Sequence, residues 1–405
     1  MKNDLVITGI GILSAIGQGK LDFSSALLEG KHVFNQMKRP GRKKEIDFIG
    51  AEIDQLNFPD ENTKRQWRRA SLTSQVALLT LMEAWQEAKL AHIPAERIGL
   101  IIGGSNVQQR EMLHIYDHYH DKPHFISPTY GMSFMDSDIC GWCTEQFDIK
   151  GLAYTIGGSS ASGQMAVIQA CEAVLSGKVD ACIALGALMD ISYIECHAFR
   201  SLGAMGTDLY VHQPEKAARP FDQNRDGFIY GENCGAVVIE RRETALKRSI
   251  PSYAQILSWA RGMDGNRNPN PSREGEMLVI QQALEQADLL PDSIDYINPH
   301  GSGSLIGDET ELQALIDCGL PHAYINTTKS ITGHGLSAAG VVELIATLLQ
   351  MEARQLHPSR NLQNPINEFF NWVRQGKNEV SINHSLNLSF GFGGVNTAVC
   401  LKNER

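Results

Sequence analysis

Ala153-Tyr-Thr-Ile-Gly-Gly-Ser-Ser-Ala-Ser-Gly163 holds a short strand-forming run, two glycines, and then small hydroxylated residues. Ala153–Ile156 fits a buried strand. Val167, Ala170, Cys171 and Val174 then recur at helical spacing, which predicts a helix over Ala161–Leu175. A strand that passes through a glycine turn into a helix is one unit of a layered α/β fold.

The same alternation extends in both directions. Leu5–Thr8, Ile98–Ile102 and Ala181–Leu185 read as buried strands, and Gly235–Glu240 as another, followed by a short helix over Arg241–Arg248. After Ile250-Pro251 the pattern starts over. Strands are expected at Tyr253–Ser258, Ile294–Asn298, Tyr324–Thr327, Leu386–Phe390 and Thr397–Leu401. Helices are expected at Gly275–Ala287, Asp308–Cys318 and Ser337–Met351. Mixed elements repeated in both parts predict an α/β fold with buried sheets, divided into halves 1–250 and 251–405. Residues 106–150 are rich in His, Tyr, Met and Asp, with weak periodicity. They read as an inserted, partly irregular region suited to line a pocket or a subunit contact.

Apolar residues make up 42% and charged residues 20% of the 405, an ordinary globular profile. The net charge of −10 argues against a nucleic-acid partner, while a local basic patch still suits an acidic protein. Eight scattered cysteines in a chain this long need no disulfide framework and imply reduced thiols in a cytoplasmic setting. Cys140-Gly-Trp-Cys143 has CxxC spacing without a second pair or paired histidines, so no metal site is expected. No apolar run approaches the ~20 residues of a membrane span. The N-terminus, with Asp4 and interspersed glycines, reads as a first strand rather than a signal peptide.

Four features carry chemistry. Ser160 is expected on the strand-to-helix turn, where backbone N–H groups and the helix dipole favour negative charge by ~0.3–2 kcal/mol. A serine there needs a dedicated base to become a nucleophile; read alone, it equally fits a helix cap. His300, in Asn298-Pro-His-Gly-Ser302, and His334, in Lys329-Ser-Ile-Thr-Gly-His334, lie on loops beside glycines that permit close approach of a ligand. Together they suit two neutral imidazoles donating to a thioester oxygen; singly, each is an ordinary loop histidine. Lys329 and Glu311 fit either a buried pair that holds the two loops or two surface charges. Phe390-Gly-Phe-Gly-Gly394 is a glycine-rich turn, with Phe392 suited to gate a pocket. Arg65, Arg68 and Arg69, at i, i+3 and i+4, suit an acidic partner or a solvated helix face.

The sequence resembles the β-ketoacyl-acyl-carrier-protein synthases of the thiolase superfamily over nearly its whole length. Val6-Ile-Thr-Gly-Ile-Gly11, Ala218-Arg-Pro-Phe-Asp-Gln-Asn-Arg-Asp-Gly-Phe228, Gly231-Glu-Asn-Cys-Gly-Ala236 and Ser389-Phe-Gly-Phe-Gly-Gly-Val-Asn396 carry the likeness, with the two histidine motifs. The resemblance implies a thiolase-like fold of two similar halves in five αβαβα layers, and a homodimer. It implies catalytic roles for His300 and His334, a supporting pair in Lys329 and Glu311, and a gating Phe392. It also implies carrier-protein docking at Arg65, Arg68 and Arg69. The family's nucleophilic cysteine stands three residues before the glycine that here is Gly163, so its place is taken by Ser160; Ser159 is out of register.

That departure implies decarboxylation without condensation. The chain is similar to the free-standing malonyl decarboxylases of polyketide β-branching cassettes. These supply acetyl-carrier protein to an enzyme similar to hydroxymethylglutaryl-CoA synthase. Such an enzyme needs no cofactor beyond the phosphopantetheine arm of the malonyl-loaded acyl carrier protein. The competing readings are a non-catalytic chain-length subunit, a serine-dependent condensing or acyl-transfer enzyme, and a scaffold that only binds carrier proteins.

Overall fold

The computed structural model describes residues 4–267 and 269–405. The N-terminal strands are β1 (Leu5–Ser14), β2 (Ile98–Gly103), β3 (Ala153–Ile156), β4 (Ala181–Gly186) and β5 (Asn233–Arg241), in spatial order β3-β2-β4-β5-β1. β3, β2 and β4 are parallel, whereas β4–β5 and β5–β1 are antiparallel. The C-terminal strands are β6 (Ala254–Met263), β7 (Tyr296–Asn298), β8 (Tyr324–Ile325), β9 (Asn371–Trp372), β10 (His384–Gly391) and β11 (Val395–Asn403). Their order β8-β7-β10-β11-β6 repeats the N-terminal pattern, again three parallel strands and then two antiparallel pairs. β9 is an addition beyond β8. β1 and β6 pair antiparallel, Leu5 opposite Ile256, and join the two sets.

Helices fill the layers around these sheets. α1 (Leu72–Glu87) and α2 (Ser137–Phe147) cover the outer face of the N-terminal set. α3 (Ser162–Leu175) and α6 (Ala339–Ala353) pack on each other between the two sets. α4 (Arg273–Ala287) and α5 (Leu305–Asp317) cover the outer face of the C-terminal set. The result is the five-layered α/β architecture. α6 is buried on all sides because sheets flank both of its faces: every residue from Ala339 to Met351 is buried, the polar Glu343, Thr347 and Gln350 included. Leu336–Ala353 has the length and composition of a membrane-crossing helix, but here it is the inside of the central layer.

Two local expectations are corrected. β3 is not a buried strand: among the described residues it is the sheet edge, paired only with β2, and Ala153 and Tyr154 are exposed. Residues 106–150 combine irregular stretches with the helix Gln109–Tyr119, two short helical turns at Pro123–Phe125 and Tyr130–Ser133, and α2. α2 puts Ile139, Cys140 and Cys143 on its inner face. Burial pushes the Cys140 thiol up to about 11, so the pair is packing rather than a reactive motif. The helix carrying Arg65 spans Glu61–Trp67, so Arg68 caps it and Arg69 lies on the turn beyond.

Candidate active site

Ser160, His300 and His334 follow the carboxyl ends of parallel strands β3, β7 and β8, where α/β sheets open a crevice. Ser160 sits in a 3-10 turn, Ser159–Ala161, that leads into α3. The turn is tied by Ser162, whose Oγ accepts from Gly158 N–H (2.9 Å) and donates to the Ser159 carbonyl (2.7 Å). Ser160 makes no cap bond; its Oγ lies 3.1 Å from His334 Nε2. Gly391, on the β10 end of the glycine-rich turn, presses on this segment. A Cβ there would stand 2.3 Å from the Gly158 carbonyl oxygen, so only glycine fits.

The tautomer of His334 follows from its other nitrogen. Nδ1 accepts from the Leu336 backbone N–H at 3.1 Å and therefore carries no proton. Burial, with Lys329 nearby, holds the imidazole well below its usual pKa, so the ring is neutral. Its single proton is on Nε2, directed at Ser160 Oγ. His334 is thus a donor at this position and not a base. Burial likewise holds His300 well below its usual value, assisted by Lys329 and His334. The two rings meet edge to face, with centroids 5.4 Å apart, and are backed by Phe390 and Phe228.

The expected Lys329–Glu311 pair does not form. Lys329 Nζ bonds Glu343 Oε1 and the His300 carbonyl. Glu311 instead accepts from the backbone N–H groups of His300 (2.6 Å) and Gly301 (2.8 Å). Both of its oxygens are taken by the loop, so Lys329 pairs with the carboxylate that α6 offers from the other side. The His300 peptide is clamped at both ends: its carbonyl by Lys329 and its amide by Glu311. Burial pushes Glu343 up to about 7 and Glu311 up to about 8. Glu343 escaped the sequence reading, although one acid inside Val341-Val-Glu-Leu-Ile345 is a visible anomaly.

Two cavities adjoin at Ser160. One of about 300 Å³ is bordered by Ser160, His300, His334, Phe390 and Phe392. The other, about 230 Å³, is bordered by Ser160, Met189, Phe199, Leu336 and Phe392. Phe392 borders both, stacks on Phe199 at 6.4 Å and is 37% exposed. Arg65, Arg68 and Arg69 border neither; they are exposed and make no ion pair among the described residues.

The descriptions "Beta-ketoacyl synthase, N-terminal domain" and "Beta-ketoacyl synthase, C-terminal domain" match residues 2–245 and 253–363. The chain belongs to the β-ketoacyl synthase family. Within this family it is 62% identical to the polyketide biosynthesis malonyl-ACP decarboxylase PksF of Bacillus subtilis, covering 99% of this chain and 96% of that one. It is 33% identical to 3-oxoacyl-[acyl-carrier-protein] synthase 1 of Buchnera aphidicola, over 98% and 99% of the two chains. A β-ketoacyl synthase from Burkholderia phymatum superimposes over both chains in full, with a TM-score of 0.90 at 25% identity. The site is therefore a β-ketoacyl synthase centre with serine at the turn that opens α3.

Proposed function

We infer that this protein decarboxylates the malonyl group of a malonyl-loaded acyl carrier protein, yielding acetyl-carrier protein for polyketide biosynthesis. The observation that carries the reading is the His334 tautomer. An Nε2–H donor beside Ser160, with neutral His300 next to it, suits a thioester oxygen that gains charge. As the carboxylate leaves, the electrons of the breaking C–C bond move into the thioester carbonyl. The resulting enolate oxygen accepts from the imidazoles, and the clamped His300 loop keeps one of them in place. Similarity to the Bacillus subtilis decarboxylase over almost the full chain supports the same reading.

The serine-dependent alternative needs a base for Ser160 Oγ, and the nitrogen that faces it already bears a proton. A non-catalytic chain-length subunit or a scaffold would have no use for a neutral imidazole pair clamped beside an open cavity. Arg65, Arg68 and Arg69 form the docking patch for the acidic carrier protein, whose phosphopantetheine arm reaches the cavity beside Phe392. The exposed β3 edge, with exposed Phe125, Met132 and Phe134 from the neighbouring insertion, supports a homodimer, because unpaired strand edges are ordinarily covered. Eight buried free cysteines fit a cytoplasmic setting. An enzyme similar to hydroxymethylglutaryl-CoA synthase is the expected consumer of the product. The test is incubation of the purified protein with malonyl-carrier protein. Intact-protein mass spectrometry should show loss of carbon dioxide without a partner synthase, and an unchanged mass would reject the reading.

A further inference from the structure

The first turn of α4 carries an acid that the mechanism above leaves unused. Glu276 is 1% exposed, and its Oε2 is buried without a hydrogen-bond partner among the described residues. No cation pairs with it among the described residues. The titratable groups that face it are two further acids, Glu311 and Asp264, and burial, with these neighbours adding to it, raises its pKa well above the usual carboxylate range. A buried, unpaired carboxylate is costly, so the group persists as the neutral acid. It borders the same cavity as Ser160, His300 and His334.

The other acids on that wall are engaged differently. Both oxygens of Glu311 accept backbone N–H bonds, and both of Asp308 do so from Phe221 (2.6 Å) and Gly303 (2.9 Å). Asp264 accepts from Asn396 Nδ2 at 2.6 Å. In each of those acids a donor occupies a carboxyl oxygen, whereas Glu276 Oε2 accepts nothing among the described residues. A decarboxylase, unlike a condensing enzyme, must put a proton on the enolate carbon. The two imidazoles are committed to the enolate oxygen.

We propose that Glu276 is the proton source that quenches the enolate, delivering its carboxyl proton through water in the cavity. Carbon dioxide departs as the C–C bond breaks. The enolate electron pair then forms the new C–H bond, the thioester carbonyl re-forms, and Glu276 is left as a carboxylate. Solvent reprotonates it, so each turnover consumes one proton. The proposal rests on the decarboxylase reading.

The experiment uses the full chain with malonyl- and acetyl-carrier protein, and with Glu276→Gln and Glu276→Asp. Glu276→Gln should lower kcat by about 10²-fold, the size of a lost general acid, with KM nearly unchanged. By microscopic reversibility the wild-type protein should also exchange the methyl protons of acetyl-carrier protein in D₂O, read as a mass gain. Glu276→Gln should abolish that exchange without lowering Tm, and Glu276→Asp should restore part of both activities. Wild-type kcat in Glu276→Gln, or a reduced kcat with exchange intact, would overturn the proposal. If Glu276→Gln does not fold, Glu276→Asp decides: kcat and exchange must fall together at constant KM. A wild-type protein that exchanges acetyl protons but releases no carbon dioxide would reject the decarboxylase reading while leaving Glu276 in its role.

Discussion

Replacing His334 by Ala removes one N–H donor whose direction the structure fixes. The Leu336 amide holds Nδ1 as an acceptor at 3.1 Å, so the proton lies on Nε2, 3.1 Å from Ser160 Oγ. A preorganised donor of this kind is worth about 2.7–4 kcal/mol at the transition state, or 10²–10³-fold in kcat. His300 remains beside the gap, with ring centroids 5.4 Å apart in the intact protein, so some oxyanion stabilisation survives. The His300→Ala, His334→Ala double variant should therefore lose less than the product of the two single losses, because the two donors act as a unit. The Leu336 N–H also loses its acceptor in a buried setting, which should cost about 1–3 kcal/mol of stability. The assay is the initial rate of acetyl-carrier protein formation by intact-protein mass spectrometry, with a urea titration alongside. A loss expressed only in KM would mean that His334 binds the ground state. A near-wild-type rate would refute the donor assignment.

Ser160→Ala should keep decarboxylation within about tenfold (~1.4 kcal/mol), since Oγ only accepts from His334; an acyl ester trapped on Ser160 by mass spectrometry would favour acyl transfer instead. Lys329→Met leaves Glu343 buried without its partner and should cost about 3–5 kcal/mol in urea unfolding, with recovery in the Lys329→Met, Glu343→Gln double variant. Because both catalytic imidazoles are held well below 6.5, they stay neutral as pH falls through that value. The kcat profile should thus show no His334- or His300-dependent inflection between about pH 7.5 and 5.5. Reversing Arg68 and Arg69 to Glu should raise KM for malonyl-carrier protein and flatten its salt dependence. Turnover of a small malonyl thioester should be unaffected, and equal losses with both substrates would remove support for docking there.

Most of the element sequence is legible along the chain, because strand runs and helical spacing survive in β1, β2, β4 and α3 and in their C-terminal counterparts. The serine at the turn, the two histidines and the aromatic of the glycine-rich hairpin are equally legible, because each sits in a local motif. What the sequence could not supply was partnership. Lys329 and Glu311 stand near the two histidine motifs, yet α6 brings Glu343 to the lysine, and Glu311 spends both oxygens on backbone amides. β3 reads as buried from its composition, but exposure depends on whether another strand lies beside it, which no local pattern encodes. The inward face of α2 inside residues 106–150 was hidden for the same reason: α1 and the sheet, not its own periodicity, define its buried side. Local residue choice thus determined the elements and the chemical groups. The tautomer of His334, the clamp on His300 and the isolation of Glu276 were decided only when distant segments closed around them. Those properties depend on which donor or acceptor lies within about 3 Å, and that is fixed by tertiary packing.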